Sequence, residues 1–316
     1  MRDNSIDNGA ANSEIEAETA STGIIRTAGL AGVTPGRRSL LRGAGFGAAA
    51  LGAMAFGIDG HLTASAEDAV TDADILNFAL NLEYLEAEFY LRATTGQGLP
   101  PGDTTGTGTQ GAVSGGRQVP FKNPQLAALA AEIANDEYNH VLFLRNALGS
   151  ATVAEPAIDL STSFTVLARA AGLVGPDESF DPFSGDRAFL IGAFIFEDVG
   201  VTAYLGAAPL ITSKAYLSAA GGILAVEAYH ASEIRLQLLQ DSVIGAPNHI
   251  AKLRAALSGA HDDQGIFVDG KPNIVPTDKH SIAYSRSTTQ VLNIVYGGGS
   301  ASNYLFYPNM MNGTIR

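Results

Sequence analysis

The chain has 316 residues, of which 46% are apolar and only 16% charged, enough to bury a sizeable core in one large domain or two small ones. Its 32 acidic and 19 basic residues leave a net charge of −13, with no basic patch to neutralise phosphates, which excludes a nucleic-acid binder. The absence of cysteine removes disulfides, zinc–thiolate sites, haem attachment and rubredoxin-type iron together, so a metal could be held only by His, Asp, Glu, Tyr or backbone oxygen.

Residues 1–36 are polar and rich in Gly, Ala and Thr, without helical period, and read as a disordered leader. Arg37-Arg38-Ser39-Leu40-Leu41-Arg42 then opens a short apolar run from Gly43 to Ile58, and Ala64-Ser65-Ala66 closes it with an A-x-A cleavage pattern. Charged start, short apolar centre and small-residue exit are the parts of an export signal, and the paired arginines mark the twin-arginine type. The run is too short and too weakly hydrophobic for a stable membrane span. Residues 1–66 are therefore expected to be leader, with a mature chain that starts near Glu67, spans no membrane and works in the periplasm, cell envelope or medium.

Four long helices follow, each signalled by its caps and by apolar residues at helical spacing. The first runs from Thr71 or Asp72 to about Ala93, with Leu76, Leu80, Glu83, Ala87 and Tyr90 on one stripe. A Thr- and Gly-rich loop without periodicity covers 94–119, and Asn123-Pro124 supplies a cap with proline at the first helical position. The second helix runs to about Leu148, its stripe reading Leu126, Leu129, Ile133, Glu137, His140 and Leu144. Residues 150–184 form a long crossover, with a short helix at 164–173. The third helix spans roughly Asp186 to Ala207, with Leu190, Ala193, Glu197, Val201 and Tyr204 in line. Gly192, Gly200 and Gly206 lower its intrinsic propensity, so packing must hold it. The fourth runs from about Ser213 to Gln240 and carries Leu217, Ala220, Ile223, Glu227, His230, Ile234 and Gln237. Beyond Gly245 the pattern breaks into short pieces, a helix at 248–257 and a helix or extended segment at 287–296, before an aromatic tail (Tyr304, Phe306, Tyr307). The expectation is an all-α four-helix bundle over 67–245 with a long crossover, and an irregular extension at 246–316 packed on it.

Acids sit where hydrophobes belong on all four stripes. A buried unpaired carboxylate is costly, so each demands a partner. Glu137-Tyr138-Asn139-His140 and Glu227-Ala228-Tyr229-His230 are twin ExxH units, and an i, i+3 pair points both side chains to one face. Glu83 and Glu197 are each followed seven residues later by a tyrosine, Tyr90 and Tyr204, two turns along the same face. One ExxH alone is most often a surface coincidence, and a single inward Glu is ordinarily salt-bridged. Together on four consecutive apolar helices they form the ligand set of dinuclear carboxylate bundles, a Glu from each of two helices and a Glu-x-x-His from each of the others. Four carboxylates balance two divalent ions, and mixed oxygen and imidazole donors suit two iron or two manganese ions, with zinc as a redox-inert option. Glu86, one turn after Glu83, reads as an extra ligand or, more readily, as a supporting or solvated acid. Asp136 and Glu233 are placed to steady histidine rings across the bundle or to face solvent. Glu88 and Glu132 fall off the stripes and are expected at the surface; His61 belongs to the leader, and His249, His261 and His280 are expected to be exposed.

These residues resemble the ferritin-like superfamily, and the resemblance matches Glu83, Glu137, His140, Glu197, Glu227 and His230 to its six ligand positions. The segments 80–90, 196–204, 223–230 and 290–296 are most similar to its exported, desiccation-related branch. The resemblance implies Glu137 and Glu227 as bridging ligands, Glu83 and Glu197 as terminal ones, and Tyr90 and Tyr204 as tyrosines beside the site. It also implies small oxidants, peroxide or oxygen, as reactants in a peroxidase-, catalase- or ferroxidase-like role during desiccation or oxidative stress. Two other readings stay open: a non-catalytic or structural stress-protection protein, and iron sequestration. Missing cysteines remove a rubredoxin electron route, the long tail is unlike a cage-forming subunit, and a homo-oligomer is left open.

Overall fold

The computed structural model describes residues 70–298 and 305–316. The leader at 1–66, with its twin arginines and His61, lies outside the described residues, as does Tyr304. Among the described residues the helices are α1 (Asp72–Thr95), α2 (Pro124–Leu148), α3 (Thr162–Ala170), α4 (Asp186–Ala207), α5 (Lys214–Gln240), α6 (Gly245–Ser258) and α7 (Thr288–Val295). The starts follow the local chemistry. Thr71 and Asp74 form a reciprocal capping box on α1, Asn123 caps α2 ahead of Pro124, and Ser213 caps α5.

Helix α1 packs chiefly on α2 and α4 on α5, and α1 meets α4 to join the two pairs. Helices α2 and α5 bury one stripe each, whereas α1 and α4 are buried almost all round. A helix apolar on every side needs cover on every side. Part of that cover is the tail: Asn81 of α1 exchanges hydrogen bonds with the backbone of Asn312, and the Tyr307 hydroxyl donates to the Asn81 carbonyl. Phe306 stacks edge-on against Phe164 of α3 and Phe196 of α4, within a cluster that includes Phe89 and Phe189. By length and composition α4 could cross a membrane, but 83% of its apolar stretch is buried as a core helix. Leu217, assigned to the buried stripe of α5, is instead 41% exposed in its first turn.

The glycines of α4 are points of close approach. A Cβ on Gly206 would lie 1.8 Å from the Arg286 carbonyl oxygen, where the extension crosses the helix and the Arg286 N–H bonds to the Thr202 carbonyl. Beside this crossing lies a buried charge network that sequence spacing did not signal. Arg235 and Arg254 both reach Asp198, at 2.9 and 2.6 Å, while Arg254 and Arg286 share Asp263 at 2.8 Å and Arg286 also reaches Asp262 at 3.0 Å. Removing one member of such a network strands a buried charge, so it ties α4, α5, α6 and the segment before α7 into one unit.

The 96–123 connection is more ordered than its composition suggests. Strand β1 (Val113–Gly115) pairs in parallel with β2 (Ile158–Leu160) of the crossover, and Thr107 exchanges backbone hydrogen bonds with the 152–154 segment. Three-residue strands carry too little alternation to be read from sequence. This connection also corrects the placement of Glu88, expected at the surface but only 2% exposed. The loop folds over it: Glu88 accepts from the Leu99 N–H at 2.7 Å and from Arg92 Nε at 2.5 Å.

Glu155 is buried beside Glu88, and burial, reinforced by the Glu88 charge, pushes its carboxyl from 4.5 up to about 9. The folded chain then holds a proton that the unfolded chain releases, so this contribution is present below the unfolded value and fades as pH rises towards the folded one. Glu155→Gln should leave stability near pH 4 little changed and raise it near pH 9 by at least about 1 kcal/mol relative to the unaltered chain. Urea unfolding at both pH values measures this; an identical pH dependence in the two proteins would contradict a neutral Glu155.

Candidate metal centre

The two helix pairs bring all six predicted ligand residues to the middle of the bundle. Glu83 comes from α1, Glu137 and His140 from α2, Glu197 from α4, and Glu227 and His230 from α5; all are buried. Their donor atoms form two groups, each with atoms within 4.8 Å of one another: Glu83, Glu137, His140 and Glu227 in one, Glu137, Glu197 and His230 in the other. Glu137 belongs to both, and Glu227 sits with the His140 group.

His140 Nδ1 faces Glu83 Oε2 at 3.2 Å, Glu137 Oε2 at 3.3 Å and Glu227 Oε1 at 3.9 Å. His230 Nδ1 faces Glu137 Oε1 at 2.9 Å and Glu197 Oε2 at 3.6 Å. Both rings thus turn the same nitrogen inward. Asp136 faces the outer nitrogen of His230, Nε2, at 3.2 Å, leaving Nδ1 for the cluster. The residue before Glu227 is Val226, so α5 offers His140 no matching carboxylate. Glu233 is exposed, as are Glu132, His249, His261 and His280.

The tyrosines are exchanged between helices. Tyr90 of α1 donates its hydroxyl hydrogen bond to Glu197 of α4, and Tyr204 of α4 donates to Glu83 of α1. Sequence spacing placed each tyrosine two turns along the inner face from the glutamate of its own helix; the crossing appears only once α1 and α4 face each other. It fixes one oxygen of each of these glutamates and leaves the other turned to a histidine. Gly200 is a second feature missed from sequence. A Cβ there would stand 2.1 Å from Glu227 Oε2, so the glycine makes room for that carboxylate.

Electrostatically the cluster is an acid cage around two bases. Burial raises Glu83 to about 7, against the opposing pull of His140. Burial and the neighbouring carboxylates push Glu86 and Glu227 well above the usual range. Burial also opposes ionisation of Glu137, but the facing imidazoles of His140 and His230 outweigh it and hold this carboxyl below its ordinary value. For the imidazoles burial works against the charged form, yet Glu83 and Glu137 lift His140 to about 11, and Glu137 and Glu197 lift His230 to about 12. Burial, followed by Glu197 and Glu83 respectively, carries Tyr90 and Tyr204 far above the usual phenol value. The site therefore draws positive charge to its centre.

Buried polar atoms are almost always partnered, and exceptions need a cause. Glu137 Oε1, Glu197 Oε2, both Glu227 oxygens and His230 Nδ1 are buried with no hydrogen-bond partner. These are five of the six such atoms among the described residues, the sixth being Glu155 Oε1 beside Glu88; all five are carboxylate or imidazole donors of the cluster, so the residues fit divalent cations. Gly200→Ala should keep the helical fold, since alanine is the better helix former by about 1 kcal/mol. The displaced Glu227 should nonetheless lower manganese(II) uptake per chain at least ~10-fold in affinity. Equilibrium dialysis alongside circular dichroism checks this; native uptake by the variant would show that the Gly200 space is incidental.

Comparison with known proteins agrees with this architecture. The ferritin-like domain family matches residues 71–240, the span that contains all four bundle helices. The ferritin-like catalase Nec2 of Nesocodon mauritianus is 28% identical over 272 residues, covering 77% of this chain and 84% of its own. The desiccation-related protein PCC13-62 of Craterostigma plantagineum is 30% identical over 245 residues, covering 70% of this chain and 76% of its own. No solved structure matches the chain. With its bundle inside the family match and its Glu and His residues gathered at the centre, the chain belongs to the ferritin-like domain family.

Proposed function

We propose that the chain is an exported metalloprotein that holds two iron or manganese ions in the Glu/His cluster and consumes peroxide or dioxygen, limiting oxidative damage during desiccation or similar stress. The observation that carries this reading is the set of buried, unpartnered donor atoms gathered around Glu137, which both groups share. Glu137 would bridge, His140 and His230 would hold one ion each through Nδ1, and Glu83, Glu197 and Glu227 would complete the two positions. The bound pair would supply reversible redox chemistry to a small oxidant. The chain's own part is to keep the site dry, to hold the carboxylates in register, and to fix Glu83 and Glu197 through Tyr204 and Tyr90. A relative whose name says catalase supports peroxide as the reactant, and one whose name says desiccation-related supports the setting. Export rests on Arg37-Arg38, the apolar run after them and Ala64-Ser65-Ala66.

The test is to purify the chain from iron- and manganese-replete cells, measure metal per chain, and follow peroxide loss beside Glu137→Ala. About two metals per chain are expected, with turnover reduced at least ~100-fold in the variant. A chain without metal would sink the proposal. Stoichiometric metal without turnover would move the reading to iron sequestration or a structural role.

A further inference from the structure

A small cavity lies beside the cluster, between α1, α4, α7 and the tail. Its volume is about 20 Å³, and it is lined by Leu82, Leu85, Phe196, Val199, Ile294 and Phe306 among other buried residues. About 10–15 Å³ suffices for one water, so the space takes a single molecule of a few atoms. Its only ionisable lining residue is Glu86. Glu86 is 4% exposed, belongs to neither group of converging donor atoms and forms no hydrogen bond with the described residues. The Glu86 oxygens are not among the fully enclosed unpartnered atoms, so the carboxyl keeps a little accessible surface where it lines the cavity, and an occupant there can satisfy it.

The two halves of the duplicated bundle differ at this wall. Glu86 stands three residues after Glu83, and the corresponding position after Glu197 is Gly200; both line the cavity. One half of the bundle thus contributes a carboxyl to the wall where the other has a glycine packed on Glu227.

We propose that this cavity is a holding site for one neutral hydroperoxide molecule, hydrogen-bonded to Glu86, next to the metal cluster. An apolar wall excludes ions, which would lose their hydration without replacement. Dioxygen would fit but has no hydrogen to donate and does not satisfy a carboxyl. Hydrogen peroxide both donates and accepts, so it pairs with Glu86 in either protonation state. The inference rests on the oxidant reading of the cluster, and it makes Glu86 a substrate-contacting residue rather than a metal ligand.

The test separates the two. Crystals of the zinc-loaded chain, in which no redox turnover occurs, are soaked in hydrogen peroxide. A two-atom feature beside the Glu86 carboxyl is expected, and it should be absent from Glu86→Leu. In the iron- or manganese-loaded chain, Glu86→Leu should keep its metal content and raise KM for peroxide about 10-fold with a smaller change in kcat, as loss of one hydrogen bond implies. Glu86→Gln, which still hydrogen-bonds, should recover most of the difference. Val295→Phe, which fills the cavity from the α7 side, should lower kcat/KM similarly and stands in if Glu86→Leu fails to fold. An empty cavity in the soaked crystals, or unchanged KM in both variants, overturns the proposal. Loss of metal in Glu86→Leu also overturns it by making Glu86 a ligand. A native chain that consumes no peroxide would defeat the functional reading alone, and the zinc-loaded soak would still decide the cavity.

Discussion

Five carboxyl groups and two imidazoles share the dry centre of this bundle, and the rest of the structure is arranged around that concentration of charge. Bringing carboxylates together in a low dielectric is unfavourable unless protons or cations compensate. Glu137 takes the largest share of the compensation, lying between both histidines. Glu227, with neither oxygen hydrogen-bonded, takes far less. A chain folded for stability alone would have apolar residues at these positions, so the cluster is the clearest sign that the bundle exists to hold something.

The surroundings can be read as what keeps that cluster in place. Crossed tyrosine bonds link α1 to α4 at two points and set the two halves in register. The tail and crossover close the outer faces of α1 and α4, which carry Glu83 and Glu197, and so keep water from the centre. Asp198, the neighbour of Glu197, is locked by Arg235 and Arg254. The extension is therefore a wall of the site's frame, and its aromatic residues and arginines belong to the same cooperative unit as the ligands.

Much of this was legible in the sequence because the site's chemistry contradicts its surroundings. A Glu or His on an apolar helical stripe stands out, and Glu83, Glu137, His140, Glu197, Glu227 and His230 were all found that way; the caps at Thr71, Asn123 and Ser213 likewise marked the helix starts. What stayed hidden depends on distant pairing. Glu88 looked exposed because stripe reasoning assumes one buried face, while α1 is buried all round. The Tyr90–Glu197 and Tyr204–Glu83 exchange needs the two halves docked, and the Arg235–Asp198–Arg254 network joins residues far apart in the chain. Gly200 looked like a weak helix former and proved to be space for Glu227.

The central claim is that Glu137 lies between two metal positions. Anomalous diffraction at the manganese edge, from crystals of the chain loaded with manganese(II), tests it most directly. Two anomalous peaks about 3.5–4 Å apart are expected, one beside His140 Nδ1 and one beside His230 Nδ1, with the Glu137 carboxylate contacting both. A cluster without anomalous density, or a single peak that leaves Glu137 uncoordinated, would contradict it.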